Sequence, residues 1–115
     1  MSEDLPAEAG ALRARLAGEW THAREEDSAG VRVYRPRGHP LPPSRWRHRL
    51  DLRPDGTYVD HRLAADDRSA RDHGRWTVGP GPAIVLTPDD PAARSRRIEV
   101  VAAGPGRIEV RVPEP

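Results

Sequence analysis

A chain of 115 residues with 20 Leu, Ile and Val, three Trp, two Tyr and no Phe has apolar material for one small core and no room for a second domain. Its 19 basic and 18 acidic residues leave a formal net charge of +1, which removes any general electrostatic reason to expect a polyanion partner. The absence of cysteine excludes disulfides, thiolate metal sites and a Cys nucleophile, and no apolar run approaches the ~18 residues of a membrane span or forms the core of a secretory signal. A cytoplasmic protein is the expectation. Every basic residue is arginine, which reads as the coding bias of a GC-rich bacterium.

In chain order, residues 1–10 carry three acidic groups, one proline and little to bury, so they are expected to fray as a flexible tail. A short helical turn is expected over Ala11–Leu16, and a single domain over 11–115. From Leu16 onward, Val, Trp, Tyr and Ile recur at alternate positions between clusters of Gly, Pro and Asp, the punctuation of an all-β chain. Strands are predicted at 16–24, 30–36, 44–53, 57–63, 72–79, 83–88, 95–103 and 106–112. Turn signals separate them, among them Pro54-Asp55-Gly56, Gly79-Pro80-Gly81-Pro82 and Gly104-Pro105-Gly106. The proline-rich stretch Arg37–Pro43 reads as a stiff connecting loop. Eight antiparallel strands close most simply as a small meander barrel, which removes exposed edges and is just wide enough to be packed solid or to hold one small ligand. An open sandwich is the alternative.

The segment Leu16-Ala17-Gly18-Glu19-Trp20 resembles the Gly-X-Trp opening of the lipocalin and calycin barrels. With His22-Ala23-Arg24-Glu25-Glu26-Asp27, Val33-Tyr34-Arg35-Pro36, Pro42-Pro43-Ser44-Arg45, Asp55-Gly56-Thr57-Tyr58 and Gly74-Arg75-Trp76, it makes most of residues 16–112 similar to a group of small bacterial lipocalin-like proteins. The resemblance implies a calycin-like barrel able to bind a small molecule, with no defined reaction. It also implies that Trp20, after Gly18, closes one end of the barrel with Arg107 or Arg111 packed over its ring, an arrangement favoured by cation–π attraction.

The Pro54-Asp55-Gly56 turn decides which polar side chains face inward, because a one-residue slip moves a whole strand to the other face. A type I turn with a Gly bulge sets Arg53 opposite Thr57 and Tyr58 beside Leu52, so that Trp46, His48, Leu50, Leu52, Tyr58, Asp60 and Arg62 share the inner face. A two-residue turn would bring Val59, His61 and Leu63 inward instead. Turn chemistry favours the bulge. Either register places an ionisable group inside, where it needs a partner or a ligand; the alternative for Asp60 and Arg62 is pairing in water at the barrel mouth.

His22, His48 and His61 lie on neighbouring strands, but the favoured register points His48 and His61 to opposite faces, so no metal site is expected. Glu25 or Glu26 is placed to receive a bidentate fork from Arg35 or Arg45, pinning the proline-rich loop; a solvated acidic loop is the simpler reading. In Arg45-Trp46-Arg47-His48-Arg49 the alternate arginines form the outer face of a strand that acidic neighbours such as Glu19 balance, so nucleic-acid binding is not expected. Asp66-Asp67 and Asp89-Asp90 read as turn or cap residues. No Ser-His-Asp order, phosphate cradle or His-Glu-x-x-His segment is present, and no cofactor is implied.

The functional expectation is a monomeric or homodimeric barrel that binds a small apolar or amphipathic ligand through Trp46, His48, Tyr58, Asp60, Arg62 and Trp76, with Gly18, Trp20, Glu25, Arg35 and Arg45 in structural roles. The competing readings are a protein-interaction module with a filled barrel, and a small cyclase or isomerase using one acid or base such as Asp60, Tyr58 or His48.

Overall fold

A computed structural model describes residues 5–63 and 69–112. The helix α1 (Leu5–Leu16) leads into eight strands: β1 (Gly18–His22), β2 (Arg32–Pro36), β3 (Arg49–Leu52), β4 (Thr57–Leu63), β5 (Ser69–Gly79), β6 (Ala83–Pro88), β7 (Arg96–Gly104) and β8 (Arg107–Arg111). They form a closed barrel in which every neighbouring pair is antiparallel. The helix is longer than the expected turn and reaches back to Leu5. Residues 1–4 of the expected tail, and Asp66-Asp67, lie outside the described residues.

From β3 to β8 the strands neighbour one another in sequence order, as a meander does. The start of the chain departs from it. β1 lies between β2 and β3, and β2 closes the barrel against β8. Both neighbours of β1 are antiparallel to it, so β2 and β3 run parallel to each other. Parallel strands cannot be joined by a hairpin and need a crossover of roughly a dozen residues, which residues 37–48 supply. This is why the predicted strand 44–53 shrinks to Arg49–Leu52: its first half carries the chain past β1.

The β3–β4 hairpin has the bulged register. Leu52 pairs with Tyr58 and Leu50 with Asp60, Arg53 N–H donates to the Thr57 carbonyl at 2.9 Å, and Gly56 sits at φ +92°, where a Cβ would be strained. The inner face of this hairpin therefore carries Leu50, Leu52, Tyr58 and Asp60. With Trp20, Trp76, Ile84, Leu86, Ile98, Val100, Ile108 and Val110 they build the core.

One end of the barrel is plugged. Leu16 is fully buried and its carbonyl accepts the Trp20 indole N–H at 2.8 Å. The Arg13 guanidinium lies 4.4 Å from the centre of the Trp76 ring and donates to the carbonyls of Trp76 and Pro54, while the Trp76 indole N–H donates to the Arg53 carbonyl at 2.8 Å. The arginine expected over Trp20 from the last strand is not there. Arg107 turns to Glu26 and Glu109, and Arg111 to Glu99. The cation–π contact forms instead at Trp76, over which α1 places Arg13.

The strands β5 and β6 approach most closely at Gly74, where an added Cβ would lie 2.1 Å from the Thr87 carbonyl oxygen. Backbone cannot yield there as a flexible side chain would. Gly74→Ala is expected to destabilise the protein by about 2 kcal/mol or more, read as a lowered thermal midpoint, whereas Gly10→Ala, inside α1 with nothing within 4 Å of an added Cβ, is expected to hold or raise the midpoint, because alanine suits a helix interior better than glycine.

Candidate functional site

The end of the barrel opposite the helix holds a cavity of about 130 Å³. Leu50, Ile84, Ile98, Ile108 and Val110 make its apolar floor, and Arg32, Tyr34, His48, Asp60, Arg62 and Arg96 its polar wall and rim. The volume is close to that of cavities known to accept a benzene-sized molecule.

The polar wall is a connected chain. The Tyr34 hydroxyl lies 2.7 Å from His48 Nδ1, His48 Nε2 lies 2.5 Å from Asp60 Oδ1, and Arg96 donates to Asp60 Oδ2. Asp60 is 1 % exposed. Burial pushes its carboxyl upward, but His48 and Arg96, each by hydrogen bond and charge, outweigh this and hold it below its ordinary value. A charged carboxylate only accepts hydrogen bonds, so His48 Nε2 carries the proton of that bond, and the ring's other nitrogen, Nδ1, shares a hydrogen bond with the Tyr34 hydroxyl. Burial pushes the Tyr34 phenol up to about 12, so it remains a donor. His22 stacks on the Tyr34 ring at 5.1 Å and bonds to Asp27 at 2.7 Å; its pKa is lowered, chiefly by burial, with Asp27 opposing.

The structure brings together three of the six expected ligand residues. His48, Asp60 and Arg62 line the cavity, with Arg62 at the rim forking onto Asp72 at 2.7 and 3.3 Å. The other three stand apart. Trp76 is buried at the plugged end, engaged by Arg13 and Arg53. Tyr58 is buried but faces a gap beside the cavity. Trp46 sits in the crossover, half-buried, its ring 6.2 Å from His48; strand alternation does not apply to it, because residue 46 is not in a strand.

The sequence reading missed Tyr34, Arg32 and Arg96. A signal existed for each, since Arg96 continues the alternation of Ile98 and Val100, and Arg32 that of Tyr34.

Two arginine clamps hold the loops of the barrel. Arg35 forks onto Glu26 at 2.8 and 2.7 Å and reaches the Gly106 carbonyl, one of the pairings foreseen. The fork on Glu25 comes from Arg47, at 2.8 and 2.6 Å, and not from Arg45, which is exposed. Arg47 also donates to the Pro42 carbonyl, and Arg24 to Ser44 Oγ and the Trp46 carbonyl, so the crossover is pinned as expected but by other arginines. Glu19 pairs with Arg37 and does not balance the 45–49 strip.

The three histidines each take a separate carboxylate: His22 with Asp27, His48 with Asp60, and His61 with Asp51. Among the described residues no three metal-ligating side chains converge. Nor is any described helix long and apolar enough to cross a membrane. Compared with family models, curated proteins and solved structures, the chain matches none of them.

Removing Asp60 would leave His48 and Arg96 without their shared anion. Asp60→Ala is expected to cost about 3 kcal/mol in chemical denaturation at neutral pH, with Asp60→Asn recovering part of the loss. The Arg47 fork draws Glu25 down to about 2 from its ordinary 4.5. Its native pKa is depressed, so its contribution is complete above pH 4.5 and is lost as pH falls toward 2. Glu25→Gln is therefore less stable than the parent at neutral pH, and the two converge near pH 2 in acid titrations followed by circular dichroism.

Proposed function

We propose that the barrel binds a small amphipathic molecule whose apolar part occupies the cavity at the open end. One observation carries this reading: a space of about 130 Å³ joins an aliphatic floor to a preorganised polar wall. Space of this kind supports a ligand over a filled barrel acting only as an interaction module. The polar groups on one side fix orientation, while the aliphatic side supplies most of the favourable transfer energy. The calycin-like resemblance and the closed barrel are compatible with such a role. Carriage, storage or sensing would each use this site.

A second reading, catalysis by proton transfer, is favoured by the Tyr34–His48–Asp60 arrangement. His48 has a hydrogen-bonded hydroxyl on one nitrogen and an orienting carboxylate on the other, the relation of a base to its partners in many acid–base sites.

Native mass spectrometry of the protein purified from its source is expected to reveal a co-purifying small molecule. Its removal and return should change Trp46 fluorescence, because that ring lies beside His48. A protein that is mass-homogeneous, and whose fluorescence no small amphipath alters, would reject the binder. Turnover of the recovered molecule, abolished in Asp60→Asn while affinity survives, would replace binding alone by catalysis.

A further inference from the structure

Beside the cavity lies a second space, a gap of about 410 Å³ in the wall. It arises where the β5–β6 ladder ends at Gly74 and Pro88 while β5 runs on toward Ser69, and where β7 begins only at Arg96. Arg62 and Arg96 line both spaces, so the two adjoin.

The polar groups around this gap are mostly satisfied. Asp72 takes the Arg62 fork, Asp89 accepts from His73 at 3.1 Å, and Asp90 accepts the Ala92 N–H at 2.9 Å. Asp60, behind Arg96, has both oxygens engaged. Tyr58 and Arg94 line the gap as well. The Tyr58 hydroxyl, on a residue only 1 % exposed, has no hydrogen-bond partner among the described residues. Arg94, exposed at the edge of the gap, forms no ion pair with a carboxylate of the described residues. Both are donors: a guanidinium has no acceptor, and burial raises the Tyr58 pKa, keeping the phenol protonated. A buried hydroxyl without a partner is costly, and the group that would complete this site accepts hydrogen bonds and carries negative charge.

We propose that the gap receives a carboxylate belonging to the same molecule whose apolar part fills the cavity, with Tyr58 and Arg94 as its donors. The inference rests on the binding function proposed above and narrows the ligand to an amphipathic acid. The Asp60–Arg96 bridge stands between the two parts of that molecule and presents its cationic side to the acid.

Three probes that share a phenyl ring and an ethylene tether test it: 3-phenylpropanoate, 3-phenylpropanamide and 3-phenylpropan-1-amine, each titrated calorimetrically into the full chain. The acid is expected to bind roughly tenfold tighter than the amide. In Tyr58→Phe and in Arg94→Gln that preference should disappear. Tyr58→Phe removes only an unpartnered hydroxyl, so its thermal midpoint is expected to hold or rise; the lost preference then cannot come from damage to the fold. Equal affinity for acid and amide, or tightest binding of the amine, would overturn the carboxylate assignment and leave the binding function standing. Retention of the acid preference in Tyr58→Phe would also overturn it. If none of the three binds at millimolar concentration, the cavity reading fails and this one with it.

Discussion

A carboxylate placed inside a β-barrel has to be hydrogen-bonded on both oxygens, and much of the open end is organised around that demand at Asp60. The residue is buried because the Pro54-Asp55-Gly56 turn sets the β3–β4 register and so sends positions 58 and 60 inward. Once it is inside, His48 and Arg96 must reach it from the end of the crossover and the start of β7. His48 in turn fixes the Tyr34 hydroxyl. A local turn geometry thus propagates through one buried charge to the polar wall of the cavity.

The opposite end follows a different logic. There the helix, Leu16, Trp20 and Trp76 exclude water, and the indole N–H groups are bonded to backbone carbonyls. Arg13 covers Trp76 by its planar charge and at the same time donates to two carbonyls, so its contact is both dispersive and polar. An aromatic, fully bonded plug at one end leaves the other free to hold space.

How far the site was legible can be judged from individual residues. Tyr58 and Asp60 were placed inward because turn chemistry and period-two alternation are local properties, and those survive folding unchanged. Trp46 and Arg45 were misplaced because the same alternation was carried into a segment that belongs to the crossover, where it has no meaning. Of the arginines expected to fork onto Glu25 or Glu26, Arg35 takes Glu26, and Arg47 rather than Arg45 takes Glu25 for that reason. Trp76 was correctly read as an inner residue, but alternation states which face a side chain occupies and not which end of the barrel it reaches.

The sequence by itself determined the all-β class, the number of strands and most of their limits, and turn chemistry favoured without settling the register that carries Asp60 inward, since each depends on neighbours a few residues apart. Only the tertiary structure decided that β1 lies between β2 and β3, that Arg13 and not a late arginine covers an indole, and that Arg96 meets Asp60 across 36 positions. Those outcomes depend on which distant segments reach a site first and on the length of the connections between them. Local periodicity carries no information on either.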